Sequence, residues 1–133
     1  MRDDDVELVR RGMEAVNRGD DEAVLALLAD DVEVYSDSST GNPGSYRGKD
    51  GYLEWSREWL EAWDEFQMDV RTIEPVGDDD VLVTVDQMGK GKGSGIEIGV
   101  SGVVLHFRIR AGRATRVALY LNREAAAADL DLG

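Results

Sequence analysis

The second half of the chain reads as a run of strands with no helix among them, and this order restricts the fold more than any other feature. Residues 66–71 alternate apolar and polar side chains, and further strands are predicted at about 80–89, 96–110 and 113–122. A parallel doubly wound sheet requires strands that alternate with helices. The sequence therefore predicts an α+β fold with a curved antiparallel sheet, followed by a short closing helix at 123–128.

The first half supplies helices for that sheet to wrap around. A first helix is predicted to stop at Asn17-Arg18-Gly19, because Gly can adopt the left-handed capping conformation, and Asp20 is predicted to cap a second, short helix. Residues 32–35 alternate like a strand, whereas 36–48 are rich in Ser and Gly, lack periodicity and predict a loop. A third helix is predicted from 50 to about 65, so three N-terminal helices face the sheet.

Composition excludes several classes of function. The 133 residues carry 28 Asp and Glu against 15 Lys and Arg, and this net charge of −13 argues against a nucleic-acid partner. With no Cys, one His and no recognisable Ca²⁺ loop, we expect no metal and no cofactor. No apolar run approaches the roughly 18 residues of a membrane span, and the start lacks the apolar stretch of a signal peptide. We therefore expect one cytoplasmic domain over residues 1–133, with no membrane partner.

Four short segments, in this order, carry a resemblance to a known family. They are AVNRGD at 15–20, LLADDV at 27–32, YRGKDG at 46–51 and FRIRAGR at 107–113. Over nearly its whole length the chain resembles the SnoaL-like polyketide cyclases of the nuclear-transport-factor-2-like superfamily. The resemblance implies an α+β cone, with the sheet curved around the helices and an internal pocket for a small apolar or aromatic molecule.

The same resemblance leaves the activity open. Superfamily members include isomerases, cyclases, dehydratases and epoxide hydrolases, as well as non-catalytic transport and assembly domains, and many are dimers through the outer face of the sheet. It therefore implies a homodimer and a small-molecule-binding protein of unassigned role, for which a cofactor-independent acid–base enzyme of isomerase, cyclase or hydrolase type is one interpretation. The alternative is a non-catalytic ligand carrier or dimeric interaction domain. A catalyst needs at least one ionisable group facing the pocket.

The catalytic residues of ketosteroid-isomerase-like relatives are missing from this chain. When the resemblance is aligned on the Asn-x-Gly-Asp turn, the Tyr and the protonated Asp of that site fall on Gly12 and Leu105. The general-base Asp falls on Ser36, one position before Asp37. Steroid-isomerase chemistry by that mechanism is therefore not expected.

The other templates are also incomplete. Of an Asp-Arg-Asp epoxide-hydrolase site, only Asp86 has a match, because Thr84 and Leu119 occupy the other two positions. A cyclase needs an acidic group on the final strand, where this chain offers only Tyr120. A dehydratase site of the scytalone type needs several His, and the chain has one.

Three residues are candidates for proton transfer, each with a structural alternative. Asp86 could act as acid or base beside an apolar pocket, but strand alternation places Val81, Val83 and Val85 inside and Asp86 outside. Asp37 is the second candidate. His106 is the third, and its alternation with Leu105 points it away from the apolar face, toward solvent or a dimer interface.

Aromatic residues are the main candidates for ligand contacts. Trp55, Trp59 and Trp63 are spaced at i, i+4 and i+8, so they are expected to share one stripe of the third helix. That stripe either packs in the core or forms an aromatic wall for a flat ligand. The full set of predicted ligand contacts is Tyr35, Trp55, Trp59, Trp63, Gln87 and Tyr120.

Overall fold

The computed structural model describes residues 2–40, 44–61 and 63–130, with all of their side chains except those of residues 2, 39, 59 and 64. The elements in chain order are α1 (Arg2–Arg18), α2 (Asp21–Leu27), β1 (Leu28–Ser36), a 3-10 turn (Ser38–Thr40), β2 (Gly44–Arg47), α3 (Gly48–Leu60), β3 (Trp63–Val76), β4 (Asp80–Gly91), β5 (Glu97–Arg110), β6 (Arg113–Tyr120) and α4 (Arg123–Leu130). The predicted α+β class is confirmed.

The strands form one sheet in the order β2-β1-β6-β5-β4-β3. Neighbouring strands run antiparallel except for β1 and β6, which pair in parallel. The prediction of an antiparallel sheet came from the short connections of the C-terminal strands, and no short connection joins β1 to β6. That pair forms because the end of the chain returns beside its first strand.

Two element boundaries in the structure differ from the predicted ones, because strand pairing overrides the local sequence pattern. The segment 36–48 is not only a loop, since it contains β2, which pairs with β1 through Tyr46 and Val34. The third helix ends at Leu60 rather than near 65, and Trp63 already pairs with Gly91 of β4. Trp63 is therefore a strand residue and leaves the helical stripe on which it was predicted to lie.

The end of α1 is built as its sequence predicts. Gly19 has a φ of 70°, and its N–H donates to the carbonyl of Val16 at 3.0 Å. The N–H of Asp20 donates to the carbonyl of Ala15 at 3.0 Å, which completes a Schellman motif. Asp20 then caps α2, because its carboxylate accepts from the N–H of Ala23 at 3.1 Å.

Asn17 attaches this helix end to the edge of the sheet. Its side-chain amide donates to the carbonyl of Met68 at 2.8 Å, and its side-chain oxygen accepts from the N–H of Met68 at 2.9 Å. Met68 lies on β3, an edge strand whose outer backbone groups no other strand of the described sheet pairs. The two bonds thus replace the backbone pairing that a neighbouring strand would provide, and they fix α1 over the middle of β3.

Different helices cover the two faces of the sheet, and the outer face is covered only in part. The inner face packs against α1, α2 and α3, and the outer face packs against α4. Residues on the inner side include Val81, Val83, Val85, Leu105 and Leu119. Those on the outer side include Leu82, Val104, Ala118, Tyr120 and, from α4, Ala126. No helix in the described part of the chain is long and apolar enough to cross a lipid bilayer.

We predict that Asn17→Ala lowers the free energy of unfolding by about 1–2 kcal/mol, since it removes two hydrogen bonds to a buried residue. Chemical denaturation measures this. Arg11→Ala, at an exposed position of the same helix, is the control and should change stability by less than about 0.5 kcal/mol. Equal effects of the two variants would contradict the role assigned to Asn17.

Candidate functional site

A cavity lies between the inner face of the sheet and the three N-terminal helices. Its volume is about 90 Å³, and its walls come from α1, α2 and α3 on one side and β3, β5 and β6 on the other. The wall is mainly apolar because strand alternation turns one apolar set inward and each helix contributes an apolar stripe. Representative lining residues are Val9, Met13, Leu27, Trp55, Met68 and Phe107.

Polar groups lie along one side of this cavity. Asp21, Tyr52 and Ser56 line it, and Asp21 and Ser56 also line an outer groove with Arg57 and Lys92, so they mark its mouth. Burial raises the pKa of Tyr52, the charge of Asp21 adds to the rise, and a hydrogen bond with Ser56 opposes it. The Tyr52 hydroxyl is therefore neutral at ordinary pH and can donate a hydrogen bond.

The ketosteroid-isomerase positions lie near or in the cavity but lack acids. Gly12 and Leu105 both line the wall. Ser36 is buried beside the inner core, with its hydroxyl 3.3 Å from that of Thr40. Gly12 and Leu105 thus occupy the two wall positions at which a proton donor would have to face the ligand.

Of the three predicted tryptophans, Trp55 lines the cavity. Its ring lies 5.8 Å from that of Tyr52, measured between centroids. Trp63 lies on β3 with its ring 5.8 Å from that of Phe66, and it does not line the cavity. The side chain of Trp59 lies outside the described residues. Among the described side chains, the aromatic part of the wall is therefore Tyr52, Trp55, Phe66 and Phe107.

The other predicted ligand contacts lie outside the cavity. Tyr35 and Tyr120 are on the outer face, where their rings meet edge to face with centroids 6.1 Å apart. The reason is alternation, since their neighbours Val34 and Leu119 turn inward. Gln87 is on the inner face and only 4% exposed, and it pairs with the wall residue Met68 but does not line the cavity itself.

The two aspartate candidates make structural contacts on the outer side of the sheet. Asp37 accepts a hydrogen bond from the Tyr35 hydroxyl at 3.0 Å. Asp86 lies 3.2 Å from the Nε of Arg71 and accepts from the N–H of Gly102 at 3.3 Å. Gly102 has a φ of 78° at an irregularity in the pairing of β4 with β5, so Asp86 holds a bulge that favours glycine.

His106 is on the outer face, as predicted, but the expectation that it faces solvent is wrong because none of its surface is exposed. Asp80 lies 2.8 Å from its Nε2, and a terminal nitrogen of Arg116 lies 2.8 Å from its Nδ1. A guanidinium can only donate, so Nδ1 accepts and the proton is on Nε2, which donates to Asp80. His106 is thus held as a neutral ring.

The surroundings of His106 favour this neutral form. Burial lowers the pKa of His106 and Arg116 lowers it further, against the opposing effect of Asp80. Burial alone would raise the pKa of Asp80, but hydrogen bonds from Arg108 and His106 outweigh it and lower that pKa. The ion pair of Arg108 with Asp80, at 2.9 Å, completes this cluster.

The cluster extends to α4 and fastens that helix to the sheet. The Tyr120 hydroxyl donates to Asp129 of α4 at 2.5 Å, and Arg116 lies 3.7 Å from the same carboxylate. Burial and the bond to Asp129 raise the pKa of Tyr120 to about 12. These groups have no route to the cavity on the other side of the sheet, so their geometry supports structure and not acid–base chemistry on a bound ligand.

Several residues of the cavity wall were not predicted. Tyr52 lies three positions before Trp55 on α3, so the helical periodicity that selected Trp55 could have found it. Met68 belongs to a recognised strand, but nothing in its pattern shows that a helix covers it. In the described ranges, no group of three or more His, Cys, Asp or Glu is placed to hold a metal ion.

Comparison with known proteins identifies the architecture. A family model described as a SnoaL-like domain matches residues 9–117. An NTF2-like protein of unknown function from Burkholderia pseudomallei K96243 is similar with a TM-score of 0.79 and 21% identity, over 94% of this chain and 95% of that one. Among curated proteins, none matches the sequence significantly.

Two further crystal structures are similar. A candidate polyketide cyclase from Xanthomonas campestris pv. campestris has a TM-score of 0.74 and 25% identity, over 96% of each chain. A hypothetical protein with a ketosteroid-isomerase-like fold from Catenulispora acidiphila DSM 44928, in complex with trimethylamine, has a TM-score of 0.75 and 17% identity, over 92% of this chain and 90% of that one. These matches confirm the predicted fold and the resemblance.

We predict that the pKa of His106 in the folded protein lies below its ordinary value of 6.5, because the ring is buried beside Arg116. The unfolded chain takes up that proton first, so stability is full above pH 6.5 and falls as the pH drops below it, by at most about 1.4 kcal/mol per pH unit. Since His106 is the only His, an NMR titration of its ring protons measures this directly. A folded-state pKa at or above 6.5 would contradict the prediction.

The control for this pH dependence is His106→Gln, whose side chain keeps a neutral hydrogen-bond donor and acceptor but does not titrate. Its free energy of unfolding should change less than that of the wild type between pH 7.5 and about pH 5.5. An unchanged slope would mean that another group produces the pH dependence.

Proposed function

The chain belongs to the SnoaL-like domain family, and we propose that it uses the family's cavity to bind a small apolar molecule without catalysing an acid–base reaction on it. One observation carries the proposal. Among the described residues that line the cavity, only Asp21 and Tyr52 can ionise, and Asp21 is an exposed residue at the mouth. A general acid or base needs a pKa near the working pH, and burial moves the pKa of Tyr52 away from it.

The size of the cavity supports a small ligand. An apolar cavity of about 150 Å³ accepts benzene in another protein, whereas drug-sized ligands occupy roughly 300–1,000 Å³. At about 90 Å³ the cavity is smaller than that benzene-binding cavity, so a single-ring molecule requires small movements of the wall side chains, and a polycyclic ligand would require the helices to move away from the sheet. The similar structure from Catenulispora acidiphila, solved with trimethylamine, is in keeping with a small ligand.

The catalytic alternative is an enzyme of isomerase, cyclase or hydrolase type that works through the mouth of the cavity. Asp21 would be its base, with the neutral Tyr52 hydroxyl as hydrogen-bond donor to a ligand oxygen. The likeness to a candidate polyketide cyclase favours testing it. Loss of turnover in Asp21→Asn, with ligand affinity unchanged, would support this alternative over simple binding.

We predict that a single-ring apolar probe such as toluene raises the melting temperature in proportion to ln(1 + [L]/Kd). Gly12→Leu should abolish the shift, because the new side chain projects from the cavity wall into a space of about 90 Å³. Thermal denaturation with increasing probe concentration measures both. A toluene response that survives in Gly12→Leu would place the binding elsewhere.

Gly12→Ala is the matched control. A Cβ added at Gly12 would meet the Cδ1 of Leu27 at 3.6 Å, an ordinary contact, and Gly in a helix interior costs about 0.5–1 kcal/mol relative to Ala. This variant should therefore be more stable than wild type by about that amount and still bind the probe. A destabilised Gly12→Ala would show that the wall has no room at this point.

The homodimer implied by the family resemblance is also a proposal for this chain. Helix α4 covers part of the outer face of the sheet, so an interface there would have to use the remaining surface or α4 itself. Light scattering after size exclusion should give about twice the chain mass of 14.6 kDa. A mass of one chain at micromolar concentration would overturn the dimer.

A further inference from the structure

We infer that Gln87 is a polar anchor for the ligand and that the ligand is a neutral apolar molecule carrying one hydrogen-bond-accepting oxygen. This inference rests on the proposed function, because it assigns a chemical class to the molecule in the same cavity. It starts from an anomaly in the inner core. The side-chain nitrogen of Gln87 is fully buried, the residue is 4% exposed, and that nitrogen has no hydrogen-bond partner among the described residues.

An unpartnered amide at this depth is unfavourable. Buried polar side chains in folded proteins nearly always have a partner, since an unmade bond leaves the full desolvation penalty uncompensated. Gln87 lies on the inner face, between Val85 on its own strand and its pairing partners Met68 and Val100. An apolar residue would fill this position at lower cost, so the amide group requires another explanation.

The position of Gln87 connects this donor with the cavity. Met68 is opposite Gln87 across the β3–β4 pair, on the same face of the sheet, and Met68 lines the cavity. Its side chain is unbranched and adapts readily to a changed environment. Its backbone is held by Asn17. A rotamer change of Met68 alone would therefore extend the cavity toward the Gln87 amide while the strand stays in place.

The charges around the cavity define the ligand class. The amide nitrogen of Gln87 can only donate, so it requires an acceptor such as a carbonyl, ether or hydroxyl oxygen. No Lys, Arg or His is present among the described residues of the wall, and Asp21 is at the mouth. A carboxylate would thus be buried without a counter-charge, which is strongly unfavourable. A neutral ketone, aldehyde, ester or alcohol of small size remains.

The test compares two probes that differ by one oxygen, cyclohexane and cyclohexanone, on the full chain. Affinities are measured by NMR titration for the wild type and for Gln87→Met, which keeps side-chain length and removes the donor. We expect the Kd for cyclohexanone to rise about tenfold in Gln87→Met and the Kd for cyclohexane to stay unchanged. Gln67→Met, at the exposed Gln of β3, is the matched control and should alter neither value.

A second readout separates ligand binding from a structural role. Without ligand, Gln87→Met should melt at or above the wild-type temperature, because it removes an unpartnered buried donor. Gln87→Leu repeats the test with another apolar side chain. Equal changes for both probes, no change for either, or a lower melting temperature in both variants would overturn the role of Gln87. If neither probe binds the wild type, the proposed function itself fails, and the inference fails with it.

Discussion

The attachment of Asn17 to the backbone of Met68 is the constraint on which the rest of the inner architecture depends. It joins the C-terminal end of α1 to an edge strand, so the helix is held over the inner face with a defined position along β3. The Schellman motif then turns the chain directly into α2. Met68 also lines the cavity, so the same contact holds the backbone of one wall residue in place. Two hydrogen bonds from the Asn17 side chain thereby help to position the wall of an apolar cavity.

Strand alternation divides the chemistry of the molecule between the two faces of the sheet. Leu105 and Phe107 turn into the cavity, while His106 and Arg108 turn outward into the cluster around Asp80. A residue cannot serve both faces, because a shift of one position would reverse every side chain of the strand. The Tyr120 and Arg116 side chains therefore fasten α4 to the sheet through Asp129. They are separated from the ligand space by the sheet itself.

The sequence predicted what depends on local periodicity and missed what depends on distant pairing. The inward direction of Val81, Val83 and Val85 and the outward direction of His106 follow from alternation alone, and the structure has them so. Trp63 was assigned to the third helix because its spacing fits one, yet its pairing with Gly91 makes it a strand residue. The burial of His106 was equally inaccessible, since it depends on Arg116 and Tyr120 from another strand.

The cavity wall keeps an apolar space and has few ionisable groups among its described residues. Gly12 and Leu105 line the wall at the two positions where the resemblance to ketosteroid-isomerase-like proteins places proton donors, so the wall has no acid at either position. A chain selected only for packing would be expected to fill such a space and to replace Gln87, since both the void and the unpartnered amide reduce stability. The ligand that we propose for this cavity would account for both features. A bound molecule would restore the missing contacts and supply the missing acceptor at once.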